Sequence, residues 1–156
     1  MNVRGSLTEE QVVEFLESQT VPIRVACRTP SGHLWMLSLW YRRRDEADSW
    51  TLACATSANA TVVDYLTHDA KPAVAFEVST NHPPYRGVRG RGTASVAPDP
   101  EKETLRALLE RYLDGTESEL ARTLLREERE EVTITIDPVT VYGWDFSERM
   151  RERKEQ

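Results

Sequence analysis

The chain is poor in several residue types, and each shortage excludes something. It has two cysteines and three histidines in 156 residues. Cys27 and Cys54 sit in apolar, alternating stretches without CxxC spacing, which points to buried free thiols rather than a redox or metal motif. His33, His68 and His82 are scattered among turn residues and helix ends. None stands at ligand spacing from a Cys or Glu, so no metal site is expected. No apolar run approaches the ~20 residues of a membrane span. The opening segment, MNVRGSLTEEQ, lacks the apolar core of a secretory signal, so a cytoplasmic location is expected. Basic charge is short too. The formal net charge is −6, and binding nucleic acid needs a broad basic face. No Ser–His–Asp, Cys–His or paired-carboxylate arrangement can be argued from spacing.

What is present reads as one globular domain over residues 1–148, followed by a charged tail at 149–156. Hydrophobic residues make up 39% and charged residues 29%, enough to build a core at this length. LTEEQVVEFLES opens as a helix: Thr8 and Gln11 have capping-box spacing, and Val12, Phe15 and Leu16 form an apolar stripe. Ile23–Arg28 and Leu34–Tyr41 alternate like the arms of a hairpin about the turn TPSGH. The second arm is apolar on both faces, which predicts cover on both. RRRDEADS reads as a solvated loop and WTLACAT as a strand. SANATVVDYLTHDAKP reads as a short helix with Thr56 or Ser57 at its start, and AVAFEVS as a further strand. DPEKETLRALLERYLDG is the clearest helix, with Asp99 as cap, Leu105, Leu108 and Leu109 on one face and Gly115 as stop. ESELARTLLREERE follows as a shorter amphipathic helix. EVTITID and VTVYGWD close the chain as two strands about a turn at Asp137-Pro138. Six or seven strands broken by short helices do not make repeated βαβ units. A mainly β (α+β), antiparallel barrel with short peripheral helices fits better.

One segment stands apart. HPPYRGVRGRG, residues 82–92, concentrates three arginines among three glycines in an acidic chain. With period two, Arg86 and Val88 share one face of a long strand, and Arg89, Arg91 and Thr93 share the other. Glycines there let something approach the backbone or let the sheet bend. The order is neither a Walker loop nor a dinucleotide fingerprint.

The succession GHLWMLSLWY, LACATSANATVVDYL, KPAVAFEV, PYRGVRGRGTA and VTVYGWDF resembles the pyridoxamine 5′-phosphate oxidase-like family of FMN-binding split β-barrels, over residues 8–148. The resemblance implies a homodimer with two sites at the subunit interface, each holding FMN or a deazaflavin. It implies an oxidoreductase that passes a hydride between a small-molecule substrate and the flavin. The flavin ring is expected along Leu37–Tyr41, at Ser38 and Trp40. The phosphate is expected at Thr56, Ser57, Asn59 and Thr61, with Arg86, Arg89 and Trp144 nearby. Where oxidases of this family carry a phosphate-gripping Arg-Lys pair, this chain has Thr61 and Val62. Charge assistance is then expected from Arg86 or Arg89, with Arg89 the stronger candidate because it shares the polar face. The same departure keeps two alternatives open: a deazaflavin-dependent reductase, and a non-catalytic ligand-binding or stress-associated dimer.

Overall fold

The computed structural model describes residues 1–152. The last four residues of the expected tail, 153–156, lie outside the described residues. Eight strands make one sheet: β1 (Asn2–Gly5), β2 (Ile23–Arg28), β3 (Leu34–Leu39), β4 (Arg42–Asp45), β5 (Trp50–Ser57), β6 (Ala73–Ser79), β7 (Arg86–Pro98) and β8 (Glu131–Asp145). Five helices flank it: α1 (Glu9–Ser18), α2 (Thr61–Thr67), α3 (Glu103–Leu113), α4 (Glu119–Leu124) and α5 (Ser147–Glu152). The order along the sheet is β3-β2-β6-β7-β8-β5-β4, with β1 added parallel to β8. The other pairings are antiparallel. β3 and β4 follow each other in the chain yet form the two free ends of this path, so the barrel is split between them.

The strand alternation expected from sequence fills the interior. Ile23, Val25 and Cys27 of β2, Val74, Phe76 and Val78 of β6, and Ile134 and Ile136 of β8 are all buried in one core cluster. The stripe of α1, Val12, Phe15 and Leu16, closes one end of it. Its capping box is formed: Thr8 Oγ1 accepts from Gln11 N at 3.2 Å, and Thr8 N donates to Gln11 Oε1 at 2.9 Å. α3 begins later than expected, at Glu103 with Lys102 rather than Asp99 at the N-cap position, although Asp99 still accepts from the amides of Glu103 and Thr104, both at 3.0 Å.

Several local expectations are corrected. EVTITID and VTVYGWD are one continuous strand, β8, and not two strands about a turn. One edge of β8 pairs with β7 throughout. Its other edge pairs with β5 at Leu52–Ser57 and with β1 at Asn2–Gly5. Asp137-Pro138 falls in the gap between these two partners, where a residue without an amide proton costs no ladder bond on that edge. A bulge sits at the same place: Arg91 lies opposite Thr140 and Gly92 opposite Pro138, which leaves Val139 as the extra residue. RRRDE is not a loop throughout, since Arg42–Asp45 forms β4 against β5. The expected helix at 117–130 is helical only over Glu119–Leu124. Neither Thr56 nor Ser57 caps α2; its N-cap is Ala60, with no side-chain bond. Beyond Phe146 the chain forms α5 before the described residues end.

The glycines of β7 serve the fold itself. A methyl group on Gly87 would lie 2.6 Å from the Trp144 ring. One on Gly90 would meet the Phe76 ring, also at 2.6 Å, and one on Gly92 would sit 2.0 Å from the carbonyl oxygen of Asp137. The approach these glycines permit is by two of the protein's own rings and by the bulged backbone of β8. Gly92→Ala should therefore cost about 2–3 kcal/mol, read as a lower urea midpoint, because backbone and not a mobile side chain blocks the methyl. An unchanged midpoint would mean that β8 yields at the bulge.

The core also sets an alkaline limit. Burial pushes the Cys54 thiol up to about 12 and raises the Tyr41 and Tyr112 phenols. Each group stays neutral in the folded chain and ionises earlier in the unfolded one. The stability it contributes is complete below its unfolded pKa, about 8.5 for a thiol, and is lost as pH climbs toward the folded value. Cys54→Ala should flatten the fall in Tm between roughly pH 8 and pH 10. An equally steep fall in the variant would show that the thiol does not carry it.

Candidate functional site

At the split, between the ends of β3 and β5 and helix α3, lies a cleft of 270 Å³. Ser38 and Trp40 line it from the end of β3 and the residue after it, and Thr56 from the end of β5. Leu105 and Leu108 of α3 wall it on the apolar side, and Arg129 and Glu131 supply charge at its head. Three residues expected from sequence to share a site, Ser38, Trp40 and Thr56, thus line one cleft from the ends of two strands.

Trp40 is held by a chain of contacts behind it. Its ring stacks on Tyr112, with centroids 5.1 Å apart and planes 10° from parallel. The Tyr112 hydroxyl donates to Val21 O at 3.1 Å and accepts from Tyr41 N at 3.3 Å. Tyr41 is fully buried and donates its hydroxyl to Leu16 O at 2.7 Å. The guanidinium of Arg111 lies 5.0 Å from the Tyr41 ring centroid. It donates to the carbonyls of Leu16, Glu17 and Gln19, the open C-terminal end of α1. A strand end that could swing freely in the split is thereby fixed to two helices.

The charge at the head of the cleft is an ion pair. Arg129 Nε lies 2.5 Å from Glu131 Oε1, with the Glu131 side chain 1% and the Arg129 side chain 37% exposed. Glu131 is set opposite Ser57, the last residue of β5, in the β5–β8 ladder, and is buried there. Its second oxygen, Oε2, is buried without a hydrogen-bond partner among the described residues. Ser57 Oγ accepts from Asn59 N at 3.3 Å, and Thr61 begins α2. Sequence reasoning nominated neither Arg129 nor Glu131, because Arg129 read as part of an amphipathic helix and Glu131 only as the first residue of a strand. The usable signal was the alternation that begins at Glu131 and places it in strand register.

The remaining expected residues lie elsewhere. Arg86 and Arg89 face opposite sides, as their odd spacing requires, since β7 keeps regular register with β6 between them. Arg86 lies 5.7 Å from the Phe15 ring centroid, at the α1 end of the barrel. Arg89 lies on the outer face, 4.7 Å from the Tyr142 centroid and 5.3 Å from that of Trp144. It lines a second, larger hollow with Arg24, Arg91 and Met36. Neither Arg86 nor Arg89 is among the residues lining the split cleft; the guanidinium there is Arg129.

No family model matches the sequence, and no curated protein matches it. Solved structures do. A conserved hypothetical protein of Mycobacterium tuberculosis matches with a TM-score of 0.72 at 20% identity, over 93% of this chain and 90% of that one. An F420 reductase matches with a TM-score of 0.66 at 23% identity, over 82% of this chain and 94% of that one. A pyridoxamine 5′-phosphate oxidase-related, FMN-binding protein of Nostoc punctiforme matches with a TM-score of 0.58 at 14% identity, over 90% and 86% of the two chains. At these identities the likeness is one of fold. The chain has the split β-barrel fold of pyridoxamine 5′-phosphate oxidase-related proteins.

The Arg129–Glu131 pair makes its own prediction. Arg129→Ala leaves a buried carboxylate without its cation, which costs ~3–5 kcal/mol in a fully buried pair. Solvent at the arginine reduces that to about 2 kcal/mol here. Arg129→Ala combined with Glu131→Gln should regain at least half of the loss in urea unfolding. A double variant no more stable than the single one would mean that the pair is not what holds this corner.

Proposed function

We propose that this protein binds a flavin in the split cleft, as FMN or as a deazaflavin, and serves as an oxidoreductase that exchanges a hydride with a small molecule. The observation that carries the reading is the convergence of Ser38, Trp40, Thr56 and Arg129 on one cleft, in a fold shared with an FMN-binding protein and an F420 reductase.

The residues suit such a ligand. Trp40, backed by Tyr112, offers a flat aromatic wall for a flat ring. The Thr56 hydroxyl and the Arg129 guanidinium offer donors for phosphate or carbonyl oxygens. The orphaned Glu131 Oε2 is an acceptor placed where the flavin's imide edge or ribityl chain could supply a donor. A bound flavin would supply the hydride acceptor and donor. The chain's part is to fix the ring plane, to exclude water with Leu105 and Leu108, and to hold charge at one end.

The deazaflavin alternative has a specific support. The F420 reductase fits this fold with a higher TM-score, 0.66, than the Nostoc FMN-binding protein, 0.58. The Thr61–Val62 replacement of the phosphate-gripping pair points the same way.

A second copy of the chain belongs to the reading. At 270 Å³ the cleft is smaller than the ~300–1,000 Å³ of ordinary ligand sites, so a whole flavin needs a further wall. Leu34, Met36 and Val139 are exposed at 77%, 60% and 56%, apolar groups that a partner would cover. We expect a homodimer that buries ~2,000 Å² or more.

The test is a titration of the purified protein with FMN and, separately, with a deazaflavin coenzyme, followed by calorimetry and absorbance. One of the two should bind at micromolar concentration or below. Trp40→Leu and Thr56→Val should each weaken it about tenfold, the loss of a stacking face or of one hydrogen bond to a charged group. Binding of neither cofactor at high micromolar concentration defeats the flavin reading and favours a non-catalytic dimer. Light scattering reports the oligomer separately, and a monomer there defeats the dimer alone.

A further inference from the structure

Another hollow adjoins the split cleft, where the end of β7, the start of α3 and the segment 126–130 meet. It measures 410 Å³ and has the Arg129–Glu131 pair in common with the cleft. Its size falls within the range of small-molecule sites. Lys102 lines it from a backbone that a lysine rarely adopts. The residue has φ 55° and ψ 34°, in the left-handed region, which costs a residue with a side chain more than it costs glycine. Lys102 is only 8% exposed. Its ammonium donates to the carbonyl oxygen of Arg126 and makes no other hydrogen bond among the described residues. It enters none of the four ion pairs among those residues. A buried ammonium with two donors unused calls for an anion.

Across the hollow the polarity reverses. Glu131 is 4% exposed; Arg129 holds its Oε1, while Oε2 is buried without a donor among the described residues. Glu127 and Glu130 line the hollow from exposed positions and take part in none of the four ion pairs. Asp99, the remaining acid, is occupied by the amides of Glu103 and Thr104. Arg129 and Glu131 cancel each other. What is left is one positive charge on the buried side and two negative charges on the exposed side. Pro98, Pro100 and Val132 add apolar lining. A simple anion is repelled by the two exposed glutamates, and a simple cation by Lys102. A zwitterion suits both sides.

We propose that this hollow is a binding site for a free α-amino acid with an apolar side chain. Lys102 takes the carboxylate. Glu131 Oε2, Glu127 and Glu130 take the ammonium, and the two prolines and Val132 take the side chain. The interior of a peptide has neither charge and each of its ends has one, so the pattern fits the free amino acid. The site does not rest on the flavin reading. On that reading a ligand in the cleft draws on the same Oε2, and the two occupants oppose each other.

The test uses the full chain with no flavin added, titrated by calorimetry with L-leucine, with its deaminated isostere 4-methylpentanoate and with its decarboxylated isostere 3-methylbutylamine. Leucine should bind about tenfold more tightly than either, since each isostere lacks one charged contact. Lys102→Gly suits the left-handed backbone and removes the ammonium. It should keep its Tm, weaken leucine about tenfold and leave the amine no weaker than before. Glu127→Gln combined with Glu130→Gln, at exposed positions, should weaken leucine and tighten 4-methylpentanoate. Should Lys102→Gly fail to fold, this second variant decides the matter by the same contrast. Equal binding of the three compounds, no binding of leucine, or leucine affinity indifferent to both variants overturns the proposal. Where FMN binds as well, saturating leucine should weaken it severalfold; an unchanged FMN affinity overturns the assignment of Oε2 to the amino acid. A protein that binds leucine as described but no flavin keeps this site and loses the flavin reading, and one that binds flavin but not leucine does the reverse.

Discussion

The long antiparallel ladder between β7 and β8 is what the rest of the molecule hangs on. β8 is the one strand with three partners among the described residues: β7 along one edge, and β5 and β1 in succession along the other, on either side of the bulge at Val139. Upstream of the break it pairs with β5, and downstream with β1. The bulge needs room on the facing strand, and Gly92 provides it where any side chain would meet the Asp137 carbonyl.

The split follows from the same arrangement. β3 leads into β4 through Trp40 and Tyr41 alone, yet the two strands lie at opposite ends of the sheet path. The chain must therefore cross the gap at these two residues. Tyr41 turns inward and is bonded to the end of α1, while Trp40 turns outward onto Tyr112. The crossing that leaves the barrel open is thus also what fixes an aromatic wall at the mouth of the opening. Fold and candidate site share one cause.

Much of this was legible in the residues. Alternation in IRVACR and AVAFEVS, the capping box at Thr8 and Gln11, and the stripe of α3 follow from local geometry that neighbours do not overrule. Ser38, Trp40 and Thr56 could be nominated from a resemblance in segment order, and they do meet. Asp137-Pro138 misled because proline marks a turn only when its missing amide proton would otherwise break a ladder. In β8 it occupies the gap between two partners, a circumstance no local window contains. Arg129 and Glu131 were passed over because one read as part of a helix and the other as a strand's first residue, and their pairing and the burial of Glu131 emerge only in the folded sheet.

The segment at residues 86–92 divides what sequence decides from what it cannot. Its sequence alone determined that Arg86 and Arg89 point to opposite faces, since side chains on a regular strand alternate whatever surrounds them. It also determined that the glycines leave space. What fills that space, and what each arginine meets, was decided by strands distant in sequence: the Trp144 and Phe76 rings, the bulged backbone of β8, and the hollow beside Arg89. Alternation is a property of one strand, whereas a cleft or a hollow is made of gaps between several strands, and only their packing sets where those gaps fall.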